Sequence, residues 1–487
     1  MEEFERASTG IPGLDDILNG GFLSSRLFLI EGMPGSGKTT LAFQFLLEGA
    51  KRGESVLYVT LSETQDEIEA VAASHGWNLK GITIRELMPA TDALHFTDQY
   101  TVFHPSEVEL SETTRKILAD VDKLKPKRVV FDSLSELRLL AGNPLRYRRQ
   151  ILALKQYFAG RNCTVLLLDD LTAGSQHDLQ VQSIAHGSLL LEHSLPAFGT
   201  LRRRLSIAKY RGSAFRGGYH DYVINRGGLD VFPRLIAAEH RTESTRERLP
   251  SGLTGLDRLM GGGLERGTST LITGAAGTGK STISALFCAT AAADGKRSTM
   301  FVFDESITTL LSRLDGLGIE LRKHVESGLV TINQIDPAEL SPGELIHRVR
   351  QDVEHRQTCI VAIDSLNGYL NSMPDEKFLV IQLHEMLTYL GQRGVASILV
   401  SAHTGLISSQ MIAPVDASYL ADSVVLLRYY EAEGEVRQAI SVVKMRGSEH
   451  ERTIRDFSMR DGQITIGEPL RDYRGVLTGV PERRFTT

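Results

Sequence analysis

The sequence predicts an α/β protein built from two tandem domains of one kind, each a mostly parallel β-sheet flanked by helices. Two observations support this fold class. Short apolar runs, such as residues 27–31 and 128–131, alternate with longer amphipathic stretches such as 39–50, a pattern typical of βαβ units and of a parallel sheet covered on both faces. In addition, motifs of the first half recur in the second half, which indicates a duplicated domain.

The duplication is clearest in three short motifs. TGIPGLD at 9–15 returns as SGLTGLD at 251–257, FDSL at 131–134 as IDSL at 363–366, and KYRGS at 209–213 as KMRGS at 444–448. The spacing far exceeds the roughly 20–50 residues of a solenoid repeat. We therefore expect a first domain at residues 1–240, a second domain at 241–460 and a short C-terminal tail at 461–487.

Composition and charge exclude several classes of protein. The chain has 487 residues, 41% of them hydrophobic and 23% charged, and a formal net charge of −6. These values are typical of a globular protein with substantial cores and give no general attraction to nucleic acid. The three cysteines are scattered without metal-ligand spacing, which favours reduced thiols and a cytoplasmic location. No apolar run approaches the ~20 residues that span a bilayer, so we expect no membrane contact.

Two stretches match the phosphate-loop pattern G-x-x-x-x-G-K-[ST]: GMPGSGKT at 32–39 and GAAGTGKS at 274–281. Glycines allow backbone N–H groups to wrap the phosphates, and the lysine reaches the β- and γ-phosphates. A glycine turn that holds a lysine by chance is the alternative, but two matches at equivalent places in a repeat argue against it. The predicted ATP-binding residues are Gly32, Gly35, Ser36, Gly37, Lys38, Thr39, Thr40, Gly274, Gly277, Thr278, Gly279, Lys280, Ser281 and Thr282.

A magnesium site is predicted beside each loop. The hydroxyls of Thr39 and Ser281 are suited to bind Mg²⁺ directly. Asp132 and Asp364 each follow an apolar strand, where a carboxylate can hold the ion through water. The alternative is that these aspartates cap the next helix.

Candidates for the group that orients the attacking water end the strand after each phosphate-loop helix. The first copy has Ser62-Glu63 there, and the second has Asp304-Glu305. A neutral serine is a far weaker base than a carboxylate. Glu63, Asp304 and Glu305 are therefore the predicted catalytic acids, and the second loop is the stronger candidate for turnover. Capping of the next helix is again the alternative.

These motifs together resemble the KaiC family, a branch of the RecA-like ATPases. The resemblance extends from residue 9 to about residue 457 and rests on the tandem arrangement, the TG-x-x-GLD opening, the DSL strand ends and the K-x-RGS elements. It implies two RecA-like P-loop domains, a double-ring homohexamer with ATP and Mg²⁺ at subunit interfaces, and signalling partners. It also implies that Lys209, Arg211, Lys444 and Arg446 reach the neighbouring subunit's site, where a cation stabilises the transferring phosphate. A solvated basic hairpin is the alternative.

The clock members of that family autophosphorylate an adjacent Ser-Thr pair in the second domain. By alignment the pair falls on Ser418-Tyr419. Ser418 keeps a hydroxyl and is the candidate phosphosite, whereas the bulkier Tyr419 makes a two-site cycle doubtful. The resemblance thus implies ATPase activity and suggests serine autokinase activity in the second domain.

Two further readings stay open at this stage. The basic run Arg202-Arg203-Arg204, with aromatic residues nearby, suggests a DNA-stimulated ATPase of DNA repair, although the net charge disfavours nucleic acid. The second is a nucleotide-gated assembly scaffold with little turnover, which is consistent with a serine at position 62 where the second copy has Asp304. Asp169-Asp170 end another strand near the first loop, and the sequence does not decide whether they contact the nucleotide or cap a loop.

Overall fold

A computed structural model describes residues 5–87, 105–171, 179–196, 199–240, 247–371, 378–403, 419–447, 449–460, 462–478 and 482–483. The chain divides into two compact units, Met1–Arg234 and Leu235–Thr487. Within the described residues, no helix is long and apolar enough to cross a membrane.

The elements of the first unit follow one another in this order: β1 (Arg6–Ala7), α1 (Pro12–Ile17), β2 (Phe22–Leu23), β3 (Leu27–Gly32), α2 (Lys38–Lys51), β4 (Val56–Thr60), α3 (Gln65–Ser74), β5 (Ile82–Glu86), α4 (Pro105–Leu124), β6 (Arg128–Asp132), α5 (Leu134–Ala141), α6 (Pro144–Phe158), β7 (Thr164–Asp170), α7 (Leu179–Ile184), β8 (Gly187–Ser194), β9 (Arg202–Tyr210), β10 (Tyr219–Asn225) and β11 (Gly228–Phe232).

The main sheet of this unit has nine strands in the order β11-β10-β9-β8-β3-β7-β6-β4-β5. The strands from β8 to β5 run parallel, and β9, β10 and β11 are joined by antiparallel pairing. All six residues of β3 are buried, because helices cover both faces of the parallel part. This explains why residues 27–30 of the strand are all apolar rather than alternating with polar residues.

The second unit repeats the plan: β12 (Arg248–Leu249), α8 (Thr254–Leu259), β13 (Leu264–Glu265), β14 (Ser269–Gly274), α9 (Lys280–Ala293), β15 (Ser298–Val302), α10 (Ile307–Asp315), α11 (Leu321–Glu326), β16 (Val330–Gln334), α12 (Pro342–Arg356), β17 (Ile360–Asp364), α13 (Leu366–Asn371), α14 (Leu379–Gln392), β18 (Ala396–Ala402), β19 (Ser423–Ala432), β20 (Glu435–Met445), β21 (Arg455–Arg460), β22 (Gln463–Pro469), β23 (Tyr473–Arg474) and β24 (Glu482–Arg483). Short 3₁₀ turns lie at Ala237–His240 and Val476–Thr478.

The second main sheet has the order β16-β15-β17-β18-β14-β19-β20-β21-β22, which is the same topology strand for strand. Its edge strand β22 pairs with β21, as β11 pairs with β10 in the first unit. β22 lies inside the predicted tail at 461–487, so the second sheet extends into that segment. The sequence did not indicate this strand, because β22 has few apolar residues and contains a glycine and a proline.

Each sheet is sandwiched between two apolar layers. In the first unit, Phe43 and Leu46 of α2 pack on one face, and Ile151 and Phe158 of α6 pack on the other. The second unit has the corresponding layers. The α/β prediction of two RecA-like domains is confirmed: both are mostly parallel sheets covered by helices.

Sheet order decides where the functional residues meet. The carboxyl ends of parallel strands lie at one edge, and a ligand site forms where strand order reverses. In the first unit, the loop after β3, Asp132 at the end of β6, Asp170 at the end of β7 and the end of β4 all share this edge.

Candidate nucleotide sites

The first phosphate loop joins β3 to α2, and its glycines are required by its shape. Gly35 and Gly37 have φ values of 78° and 94°, a region that side chains with a Cβ avoid. A Cβ on Gly32 would lie 2.5 Å from Ser36 Oγ. The loop delivers its N–H groups and the start of α2 to one point, which is a favourable place for an anion.

Lys38 lies folded over its own loop. Its Nζ donates to the carbonyl oxygens of Gly32 at 2.9 Å and Met33 at 3.1 Å. It also lies 2.7 Å from Asp170 Oδ1. The ammonium group is thus held where phosphate oxygens would bind it.

The predicted metal residues of the first site are in direct contact. Thr39 Oγ1 donates to Asp132 Oδ2 at 2.8 Å, and the phenol of Tyr58 donates to the same oxygen at 2.7 Å. Burial raises the pKa of Asp132, although these two hydrogen bonds oppose the change. Asp132 does not cap α5, whose N-cap residue is Ser133. A buried carboxylate beside a threonine hydroxyl fits a divalent cation, which would favour the ionised acid.

The second phosphate loop has the same shape. Gly277 and Gly279 have φ values of 78° and 95°, and a Cβ on Gly274 would lie 2.2 Å from the carbonyl oxygen of Leu427. Lys280 Nζ donates to the carbonyl of Ala275 at 2.7 Å. Burial lowers the pKa of Lys280 to about 8, against the opposing effect of Asp364.

Ser281 and Asp364 form the second hydroxyl–carboxylate pair. The Ser281 hydroxyl is hydrogen-bonded to Asp364, and burial raises the pKa of that aspartate. The donor set is the one in the first site, so it fits Mg²⁺ equally well.

Four of the predicted loop residues face inward or along the helix. Ser36 and Thr278 are fully buried, and Thr278 Oγ1 braces the loop by donating to the carbonyl of Ala275 at 2.8 Å. Thr40 and Thr282 are buried at the start of α2 and α9. Their backbone N–H groups, rather than their side chains, are suited to meet a phosphate.

The acids that follow β4 and β15 have different hydrogen-bond and ion-pair partners in the two sites. Glu305 forms a bidentate ion pair with Arg313, at 3.3 and 2.8 Å, and Arg313 also donates to Thr282 Oγ1 at 2.7 Å. Asp304 is exposed and accepts a hydrogen bond from Ser365 Oγ. The adjacent acids of the second site are therefore separated, and Asp304 faces the catalytic edge without an arginine partner among the described residues.

Glu63 has no equivalent of the Arg313 pair, since Val71 occupies that position on α3. Glu63 Oε2 is buried without a hydrogen-bond partner in the part of the chain that the structure describes. Burial first, and then the negative charge of Asp132, raise the pKa of Glu63. Neither Glu63 nor Glu305 caps a helix, because Thr64 and Ser306 supply the caps of α3 and α10.

The four predicted basic residues are not brought to the loop of their own unit. By strand register, Lys209 is level with Leu29 and Lys444 is level with Leu271. Leu29 and Leu271 are each three residues before the glycine that ends their strand, so each lysine is about 10 Å along the strand from the start of its loop. Arg211 and Arg446 follow two residues farther from the loop.

Local contacts hold these basic residues at the amino edge of the sheet. Lys209 Nζ donates to the carbonyls of Gln182 at 2.5 Å and Ala185 at 2.7 Å, at the end of α7. Lys444 Nζ donates to the carbonyl of Ala421 at 2.8 Å. Burial lowers the pKa of Lys209, with further contributions from Arg211 and Lys155.

The structure also identifies residues that the motifs missed. Tyr222 OH donates to the carbonyl of Ser36 at 2.5 Å. In the second unit, Tyr429 OH and Gln438 Nε2 donate to the carbonyls of Ala276 and Gly277, both at 3.3 Å. These residues come from strands far along the chain, and no local sequence signal identifies them.

A cavity of about 540 Å³ opens beside the second loop. It is bounded by the start of α9, by Arg313 and Leu317 after the β15 acids, and by Met459 of β21. Its position next to the loop is suited to the base and ribose of a nucleotide. Ser418, the candidate phosphosite, lies outside the described residues.

The fold and these two loops define a tandem P-loop protein of the RecA-like ATPase class, with a candidate nucleotide site in each unit. The family model described as the KaiC ATPase matches residues 7–236 and 249–471. The chain therefore belongs to the KaiC ATPase family.

Similar curated proteins cover the chain almost end to end. It is 28% identical to circadian clock protein KaiC3 of Synechocystis sp., over 98% of this chain and 94% of the relative. It is 28% identical to the circadian clock oscillator protein KaiC of Parathermosynechococcus lividus, over 98% and 88%. The identity to the KaiC of Prochlorococcus marinus is 27%, over 99% and 96%.

Proposed function

We propose that this chain binds ATP and Mg²⁺ at both loops and hydrolyses ATP within a homohexameric ring. One observation carries the proposal: each unit has a lysine loop and a hydroxyl–carboxylate pair at one edge of its sheet, and its K-x-RGS residues at the other. The first set supports nucleotide and metal binding. The second set supports a site that is completed by another subunit.

At each site, the loop N–H groups and Lys38 or Lys280 hold the phosphates. Thr39 with Asp132, and Ser281 with Asp364, would hold the metal, which when bound would supply positive charge to the transferring phosphoryl group. In the second site Asp304 orients the water, because Glu305 is engaged by Arg313. In the first site Glu63 is the remaining acid after β4.

The distance between the basic residues and the loop of their own unit supports the ring. A cation that assists phosphoryl transfer must touch the γ-phosphate, yet Lys444 and Arg446 lie at the opposite edge of their own sheet. A head-to-tail neighbour would bring these residues to the loop, and such heterologous contacts form a ring when the rotation between neighbours closes. Lys209 and Arg211 act in the same way for the first site.

A clock-type or other signalling role, and autokinase activity on Ser418, are the finer parts of the proposal. The names of the relatives support the first. The second rests on alignment alone, and phosphosite mass spectrometry after incubation with ATP and Mg²⁺ tests it. If neither Ser418 nor its neighbours carried phosphate, the autokinase proposal would be contradicted, and the ATPase proposal would stand.

DNA-stimulated turnover is the weaker alternative. Arg204 lies 3.5 Å from Asp221, and Arg216 lies 3.2 Å from Asp16, so acidic groups partly neutralise the basic cluster. Lack of stimulation by single-stranded DNA at low salt is the expected result.

Mixing experiments test the shared sites. Lys280→Ala removes the second loop's lysine, and Arg446→Ala removes the donated cation, with Lys38→Ala in both chains to silence the first site. Each variant alone should be nearly inactive, whereas a mixed ring should recover part of the turnover, because some interfaces then combine an intact loop with an intact arginine. Native mass spectrometry should show hexamers with ATP. Recovery that never exceeds the sum of the two variants would contradict a site shared between subunits.

A further inference from the structure

Each site has an acid beside the loop that the other lacks, and these two acids come from the ends of different strands. At the second residue after β4 or β15, the first site has Ser62 and the second has Asp304. At the end of β7 or β18, next to the loop glycine, the first site has Asp170 and the second has Ala402. The carboxylate missing from one strand of the first site is therefore present on another.

Asp170 lies at the edge of the sheet between the loop lysine and the predicted metal residues. Strand β7 stands between β3, which leads to Lys38, and β6, which ends at Asp132. Asp170 Oδ1 is 2.7 Å from Lys38 Nζ. In P-loop enzymes the lysine and the metal both contact the phosphates, and the end of β7 lies between the strands that lead to the residues that would hold them here.

Asp170 is fixed in that position by its backbone. Its N–H donates to Ser135 Oγ at 3.3 Å, and the next N–H, of Leu171, donates to the carbonyl of Gly32 at 3.0 Å. The preceding Asp169 is turned away and paired with Arg138. Of these two carboxylates, that of Asp170 is 30% exposed and lies against the loop lysine.

We propose that Asp170 orients the attacking water in the first site and accepts its proton, as Asp304 does in the second site. This inference rests on the ATP hydrolysis proposed above. The water oxygen forms a bond to the γ-phosphorus, the bond from phosphorus to the bridging oxygen breaks, and ADP leaves with that electron pair. The proton passes to Asp170 and then to solvent.

The competing role is a counter-ion that holds Lys38 only while the site is empty. The two roles make opposite predictions. An anion facing the γ-phosphate repels ATP unless a proton donor or a cation lies between them. A mere counter-ion should therefore weaken binding and leave the chemical step unchanged, whereas a water-orienting carboxylate should govern the chemical step.

The test uses full-length protein with Lys280→Ala, so that turnover reports the first site alone. Asp170→Asn keeps the shape of the side chain and removes its basicity. We expect kcat to fall by about 100-fold or more while KM stays within about threefold. An unchanged kcat with tighter ATP binding would overturn the proposal.

An exchange of the acids makes the test reciprocal. Adding Ser62→Asp to Asp170→Ala should restore at least about tenfold of the lost kcat, since it recreates the second-site arrangement. In the second site, with Lys38→Ala, Asp304→Ser should lose turnover and Ala402→Asp should recover it. No recovery in either exchange would refute the equivalence of the two positions.

A separate control isolates the underlying function. If Lys280→Ala turns over no faster than the double variant that also has Lys38→Ala, the first site does not hydrolyse ATP, and the proposed function fails there. The second-site exchange then still decides whether an acid at the Asp170 position can replace Asp304.

Discussion

Affinity of the second site for ATP should fall steeply above pH 8. Lys280 is 7% exposed, and burial lowers the pKa of its ammonium group to about 8. Only the protonated lysine attracts the phosphates, so ATP binding must take up a proton whenever the free site has lost it. The lowered pKa places that loss between pH 7 and 9.

The size of the effect follows from the titration. For a pKa of about 8, the apparent dissociation constant rises by a factor of one plus the ratio of neutral to charged lysine, which is about 2-fold at pH 8 and about 10-fold at pH 9. The tenfold change corresponds to about 1.4 kcal/mol.

The assay is a titration with a non-hydrolysable ATP analogue and Mg²⁺ at pH 7, 8 and 9. The protein has Lys38→Ala, so that only the second site binds. The matched control adds Lys280→Ala and should bind weakly with no step in this range. If the Lys38→Ala protein, which retains Lys280, bound the ATP analogue equally well at pH 7 and pH 9, the assignment of a partly neutral lysine in the empty loop would be refuted.

Three other predictions concern single side chains. Asp304→Asn should lower second-site kcat by about 100-fold, whereas Glu305→Gln should mainly raise KM, because it releases the arginine beside the nucleotide cavity; equal loss of kcat in both would contradict their separation. Arg128→Met should lower the free energy of unfolding by about 3 kcal/mol in urea titration, since the buried carbonyl of Phe45 and the partly buried carbonyl of Ser8 lose a donor; a change under about 0.5 kcal/mol would be inconsistent with this. Gly37→Ala should strongly weaken first-site binding in calorimetry, because φ is 94° at this position, a conformation that residues with a Cβ rarely adopt; retained affinity would disprove this backbone argument.

The sequence was most informative where function depends on neighbouring residues. The phosphate loops are contiguous, and their glycines are needed for local backbone shape, so both were predictable together with the repeat and the fold class. Asp132 was located because a short apolar strand precedes it directly. At these positions the residue type that the local backbone or chemistry requires is also the one that the fold requires.

The remaining parts of the site depend on sheet order, which local patterns do not encode. Glu305 looked like a catalytic partner of Asp304, and only the packing of α10 reveals its pair with Arg313. Asp170 could not be assigned because β7, although later in the chain than β4, lies next to β3. Tyr222 reaches Ser36 across 186 residues of sequence.

The placement of the K-x-RGS residues far from their own loop has a consequence for counting sites. In the proposed head-to-tail row, each member completes its neighbour's sites, so an open row always has one incomplete first-unit site and one incomplete second-unit site at its ends. Only closure into a ring makes the number of complete sites of each kind equal the number of chains. A single lost subunit would then remove more than its own site, and turnover per chain would report whether the assembly is closed.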